Sequence, residues 1–383
     1  MDGPLGGLEK RTMRFSSFAR RQGWIVHPAS LTGVVLVFIV AWVIVQDGGN
    51  PLALARLGTV YSLGDPQGTQ GYDGQFVYYI SRDLRPAAVM PFLDIPAYRY
   101  QRILLPLLAR GIALGQEVAI PWTLVFLGIL SQIAGTWAIA EFLAGRGINR
   151  WYALAYGLFA GFTLAVRLDL PEPMAYALVA GGFLAMESRR NWIAWLLFGL
   201  ALFAKEVTVI FVIAMVLFAL QNRRWNDLVG LSLFAILPFA LFQLWLWKVF
   251  GQPGLGSGGA MATPFELIPF MGLIRIGLYS PIYLMAMLVV FGPAIVLPAL
   301  WGLWVGAKKW FSGEADLVVF ALLLNSLVIP FLPFSTFRET GGLLRFACGL
   351  ALSVILTASR YRMWKVLNYS QLWLVLNVFL LKS

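Results

Sequence analysis

Apolar runs of about 20 residues recur from position 30 almost to the end of this 383-residue chain. They constrain the fold more than any motif does. About 20 helical residues, at ~1.5 Å each, cross the ~30 Å hydrocarbon core of a bilayer. Spans read at 30–46, 119–144, 152–166, 174–186, 191–204, 206–220, 228–250, 281–306, 316–333, 342–358 and 368–381, eleven in all. Only 12% of residues are charged, against about 25% in a soluble domain. The alternation over ~10-residue strands that a membrane barrel needs is absent from the sequence. The fold class is therefore an all-α polytopic membrane protein, with residues 1–29 as a basic cytoplasmic segment and 30–383 as a single transmembrane domain.

The distribution of charge orients it. With the N-terminus inside, Lys10, Arg11, Arg14, Arg20 and Arg21 share one side with Arg146/Arg150, Arg189/Arg190, Arg223/Arg224, Lys308/Lys309 and Arg360/Arg362/Lys365. That side holds 16 of the 29 basic residues and seven of the 18 acids, which is the positive-inside pattern. A net charge of +11 divided in this way into short clusters between spans speaks for membrane orientation and against nucleic acid. No small-residue cleavage site follows the first apolar run, so the N-terminal segment is expected to be retained.

Segment 103–116 is too short to cross, and a crossing there would turn the basic clusters outward. We expect an interfacial helix, within a first external loop spanning 47–118. The short spans between 152 and 220 predict a recessed polar cavity, because broken helices at membrane depth must line protein-enclosed space. The Gly-rich stretch Gly251–Gly259 reads first as an external connection, and second as a lid.

One cysteine, Cys348, and one histidine, His27, leave little conventional chemistry. An internal disulfide, a thiolate metal centre and a histidine-based triad are excluded. Acid–base work falls to Asp, Glu, Lys, Arg or Tyr. Three polar groups stand out on the external side, and ionisable groups at such depth usually mark function. They are the loop 47–118, with Asp65, Asp73, Asp83, Asp94, Arg82, Arg85, Arg99 and Arg102; the Arg167–Pro173 turn, with Asp169 and Glu172; and Lys205-Glu206. Asp73 sits in Gly71-Tyr72-Asp73-Gly74-Gln75-Phe76-Val77-Tyr78-Tyr79. Local sequence leaves it open between a general base, a metal ligand lacking a close second carboxylate, and a simple Asp-Gly turn. Its neighbours Tyr72, Phe76, Tyr78 and Tyr79 suit either the headgroup level or stacking on a sugar ring. Asp169 and Glu172 are expected to pair with Arg167 or Lys205, or else to shape an acceptor pocket or hold a divalent cation.

The Tyr-Asp-Gly-Gln-Phe loop resembles the acidic first-loop motif of GT-C-fold glycosyltransferases that use polyprenyl-phosphate sugars. More closely it resembles bacterial multi-pass proteins of cell-surface glycopolymer formation. Those share this loop, a Tyr-Arg-Tyr-Gln-Arg-Ile-Leu stretch (Tyr98–Leu104), an Asp-x-x-Glu-Pro turn (Asp169, Glu172, Pro173), the Lys205-Glu206 pair, and Arg338-Glu339-Thr340 with Arg345. Many GT-C members carry Asp-Glu where this chain has Asp73-Gly74, so one carboxylate is carried over. The resemblance implies a GT-C-like enzyme in the bacterial cytoplasmic membrane, its site on the external face. It would move a sugar from a polyprenyl-phosphate donor to a glycan, lipid or other surface acceptor. Asp73 would be the base, and Arg99, Arg102, Arg338, Arg345 and Lys205 the phosphate-binding cations. Tyr72, Gln75, Tyr79, Asp169, Glu172 and Glu206 would contact substrate. A divalent cation is the one cofactor the acids leave open. The competing readings are a transporter or lipid flippase, since broken helices and intramembrane charges also serve transport, and a non-catalytic subunit of an envelope-polysaccharide pathway.

Overall fold

A computed structural model describes residues 27–380, and every regular element among them is helical. The basic residues at positions 10–21 lie outside the described residues. In chain order the elements that matter are α1 (Pro28–Gln46), α2 (Gly74–Arg82), α3 (Leu104–Ile112), α4 (Ile120–Ala144), α5 (Ala160–Arg167), α6 (Glu172–Glu187) and α7 (Asn191–Ala204). They are followed by α8 (Val209–Gln221), α9 (Trp225–Phe250), α10 (Pro281–Phe311), α11 (Leu317–Val328) and α12 (Thr340–Arg360). Five of these, α1, α4, α9, α10 and α12, are long and apolar enough to cross a bilayer. The architecture is that of an all-α membrane protein. Helix α7, the stretch Glu206–Gln221 and the stretch Leu317–Phe331 are apolar but shorter.

Boundaries follow local chemistry. Pro28 opens α1, where its missing N–H is not needed, and the His27 Nδ1 accepts from the Ala29 N–H at 3.1 Å. Asp316 caps α11 by accepting from Val319 N at 3.2 Å. Two predicted spans are not continuous helices. The 152–166 stretch breaks into a tight turn at Arg150–Ala153, a short helix at Leu154–Gly157, and α5. The 368–381 stretch is a short helix, Trp364–Ser370, running into a 3-10 segment at Gln371–Leu380. Helix α3 has nine residues, about 14 Å of rise, and packs on α2 and α4.

Helix α12 is the central post, with 83% of its apolar window buried. It packs against α5, α6 and α11. Helix α6 lies between α4 and α7. Gly161 lets α5 approach α12 closely, because a Cβ there would collide with the Leu344 carbonyl. By contrast α9 and α10 are peripheral, with 22% and 28% of their windows buried. Each carries a π-helical turn, Ser232–Ile236 and Gly292–Val296, just ahead of Pro238 and Pro298. A proline cannot donate to the carbonyl four residues back, and the widened turn absorbs that loss. In α9 the carbonyl so released, that of Phe234, lies against Gly199 of α7.

Candidate functional site

The three polar groups of the sequence meet at one end of this bundle. The α5–α6 turn, the break between α7 and the Glu206–Thr208 turn, and the start of α12 bring their charges under the first long loop. They form a chain of ion pairs. Lys205 Nζ and Arg345 Nε both donate to Glu172 Oε1, each at 2.7 Å. Arg345 Nη2 donates to Asp73 Oδ2 at 2.9 Å. Arg99 Nη1 lies 2.9 Å from Asp73 Oδ1. The rest of the Arg99 fork is taken by Asp94, through Nε to Oδ1 at 2.7 Å and Nη2 to Oδ2 at 2.8 Å. Arg102 makes a separate fork on Glu206, at 2.8 and 2.5 Å, and lies over the Tyr98 ring. Every carboxylate here faces a guanidinium or ammonium, which is the condition for burying such groups.

Asp73 occupies the middle of the chain, half-buried. Burial pulls its carboxyl upward, but the charges of Arg99, Arg345 and Arg102 outweigh that and hold it well below the usual carboxylate range. Asp94 is also lowered: burial opposes, and the Arg99 fork prevails. Both are carboxylates at any physiological pH.

Asp73 immediately precedes α2, and Gly74 is required there. A Cβ at 74 would strike the Leu168 carbonyl and crowd the backbone of Ala55. This close approach couples the Asp73 loop to the α5–α6 turn, and a glutamate at 74 does not fit.

Other predicted site residues fall differently. Tyr72 belongs to the network: its hydroxyl donates to Glu339 and accepts from Arg345 Nη1 at 3.1 Å. Gln75 is a fastener, accepting from Gly58 N at 3.0 Å and donating to the Gln70 carbonyl at 2.8 Å, so it pins the loop and not a ligand. Tyr79 turns into the loop's own core against Tyr78 and Phe92, because successive residues of α2 point around the helix. Arg338 is exposed beside Phe334 and does not join the cluster. Asp169 departs most from expectation. Glu172 takes Lys205 as predicted, but Asp169 is 4% exposed and neither of its oxygens has a hydrogen-bond partner among the described residues. Its backbone is left-handed, φ 51°. Burial alone pushes that carboxyl well above the usual range.

Two residues that complete the network were not singled out for the site. Asp94 stands just before the Pro96–Tyr100 turn that carries Arg99, and an acid five residues ahead of an arginine is a weak signal. Glu339 reaches Tyr72 only through the tertiary fold. The Gly-rich stretch is not a free connection: Ala260 N donates to Asp94 Oδ2 at 3.1 Å, and a Cβ on Gly259 would press on Arg99. It covers the Arg99 side of the site.

The ion-pair chain runs through the region between the short helices where a recess was expected. A cleft of about 740 Å³ opens between the end of α1 and the first loop, with Tyr72 on its wall. As to a cation, Asp73, Asp94 and Glu172 already carry positive side chains, and no three His, Cys, Asp or Glu groups converge among the described residues.

No protein-family model, no curated protein and no solved structure matches the chain.

Proposed function

We propose that this chain is a GT-C-like membrane glycosyltransferase of the bacterial cytoplasmic membrane, working on the external face. It would transfer a sugar from a polyprenyl-phosphate donor to a surface glycan or lipid acceptor, with inversion. The observation that carries the reading is Asp73, an ionised carboxylate fixed between two guanidiniums where loop, helix break and central helix converge. Positional fixing of this kind suits a reacting group. A second support is that the charges gather at one end of the helices, as a surface reaction wants, and not at mid-length, as alternating access wants.

The acceptor hydroxyl attacks the anomeric carbon, and its proton passes to an Asp73 oxygen. The bond from that carbon to the phosphate oxygen breaks, and polyprenyl phosphate leaves with the electron pair. In the resting state Asp73 is a weak base, because Arg99 and Arg345 stabilise its charge. As the bond to the phosphate breaks, the attacking hydroxyl becomes far more acidic, so a carboxylate of low proton affinity suffices to take its proton. Arg102, Lys205, Glu172 and Glu206 hold this arrangement without reacting.

The test is complementation of a deletion strain with Asp73→Asn and Asp73→Glu, reading surface glycan and protein abundance together. A general base contributes roughly 10²–10⁴-fold, so both variants should lose the glycan. Asp73→Glu keeps the charge between the arginines and controls for folding. Normal glycan from Asp73→Asn protein at normal abundance overturns the assignment.

A further inference from the structure

Arg345 uses every nitrogen of its guanidinium. Nε donates to Glu172 at 2.7 Å, Nη2 to Asp73 at 2.9 Å and Nη1 to the Tyr72 hydroxyl at 3.1 Å. A guanidinium has no acceptor, so the Tyr72 oxygen accepts there and its single proton must go elsewhere. It goes to Glu339 Oε1, and an ionised carboxylate can only accept. Burial pushes the Tyr72 hydroxyl above its ordinary range, against the opposing charge of Arg345, so the proton stays on the tyrosine. The direction of the chain is therefore set: Arg345 donates to Asp73 and to Tyr72, and Tyr72 donates to Glu339.

Glu339 is unlike the other acids here. Asp73, Asp94, Glu172 and Glu206 each face a cation, whereas Glu339 is exposed and forms no ion pair among the described residues. It stands immediately before α12, where an acid ordinarily turns back onto the first-turn N–H groups. Its side chain makes no such bond and reaches the first loop instead. Two glycines leave the pair room. A Cβ on Gly341 would come within 3.3 Å of the Tyr72 hydroxyl, and one on Gly342 within 3.3 Å of Glu339 Oε2.

We propose that Glu339 is a positioning residue, which by taking the Tyr72 proton makes Tyr72 an anchor for Arg345 and so sets the angle at which Arg345 meets Asp73. Asp73 has one guanidinium on each oxygen, so the lone pair left for a substrate proton points where Arg99 and Arg345 leave it. A small misalignment of such a group is costly in rate. Without Glu339 the Tyr72 proton is free to turn toward Arg345, two donors then face each other, and the guanidinium loses that hold. The inference rests on the glycosyltransferase reading for what Asp73 does to a substrate, and on the hydrogen bonds alone for what Glu339 does to Tyr72.

The experiment is a double-mutant cycle in the full-length protein, reading surface glycan and protein abundance in the complemented deletion strain. Glu339→Leu should lower glycan formation about tenfold at normal abundance, the scale of one hydrogen bond to a charged group. Tyr72→Phe should lower it as much, and the double variant no further, because one residue acts through the other. Glu339→Gln keeps an oxygen for the Tyr72 proton and should recover most of the loss. Additive losses, or normal glycan from Glu339→Leu, overturn the inference. A second readout needs no substrate: the infrared C–O stretch of Tyr72, isolated as the difference between isotopically tyrosine-labelled protein and its Tyr72→Phe variant, responds to whether the hydroxyl donates. The band should shift in Glu339→Leu and hold in Glu339→Gln, and a band unmoved by Glu339→Leu sinks the chain of hydrogen bonds itself. Normal glycan from Asp73→Asn sinks the base and not that chain, which the band reads independently.

Discussion

At the scale of single residues, the network's pH response follows from which groups gain partners. Asp73 and Asp94 have carboxyls lowered in the folded protein. A lowered carboxyl contributes stability above its unfolded pKa, and that stability is lost as pH falls through the folded value. We therefore expect thermal stability to hold from neutrality down to about pH 4, the unfolded carboxylate value, and to fall below it as the two acids protonate. Asp169 acts in the opposite sense. Its carboxyl is raised by burial, so the folded state keeps a proton that the unfolded chain releases, and the penalty grows as pH rises. Asp169→Asn should leave the melting temperature unchanged or higher at neutral pH, while Asp73→Asn should lower it at neutral pH and flatten its fall in acid, because Arg99 and Arg345 each lose one of two carboxylate partners and one lowered acid no longer titrates. Scanning calorimetry in detergent across pH reads both. A melting temperature that rises on acidification below pH 4 would contradict the lowered carboxyls.

At the scale of elements, the covering segment between α9 and α10 gives the clearest handle. Its contact with the site is the Ala260 N–H on Asp94 and the close seat of Gly259 against Arg99. Gly259→Val should lift the segment, forfeiting a charge-assisted hydrogen bond of about 1–3 kcal/mol, and expose residues 251–262 to limited proteolysis. Unchanged cleavage and melting temperature would mean that the segment does not seat there in solution. The apolar elements themselves were legible: runs at 30–46, 119–144 and 191–204 became Pro28–Gln46, Ile120–Ala144 and Asn191–Ala204. The run at 152–166 was not, because hydropathy reports what is apolar and not whether the backbone stays helical. Likewise the cost of burying charge marked Asp73, Glu172, Lys205 and Glu206 as belonging together. Which oxygen takes which cation depends on Gly74 sitting on the Leu168 carbonyl and Gly161 on Leu344. Those approaches join residues nearly 100 and 200 positions apart, so no local pattern announces them, and the fates of Gln75, Tyr79 and Asp169 depended on the same unseen geometry.

At the scale of the molecule, α6 and α12 run between two charged ends. The first holds Glu172 and Arg345. The second holds Glu187 with Arg146, and Arg360 with Asp316 at 2.8 Å. These second-end groups include the basic clusters that sequence assigned to the cytoplasm. The single cysteine, Cys348, is buried, so Cys348→Ser gives a clean background for testing sidedness. Cysteines placed at Leu114 and Leu63 should react with an impermeant maleimide from outside intact cells, and cysteines at Arg223 and Ser312 only after the membrane is opened. Reaction of Arg223 and Leu114 positions from the same side would refute the proposed orientation.

The two helices least embraced by protein, α9 and α10, are the ones that tether the segment lying over Arg99. With little protein packed around them to fix their angle, they have the most room of the long helices to tilt when the thickness of the hydrocarbon changes. A change of acyl-chain length is therefore expected to reach the contact of Ala260 with Asp94 before it reaches the deeply packed α6 and α12, and limited proteolysis of residues 251–262 in bilayers of different thickness reads it.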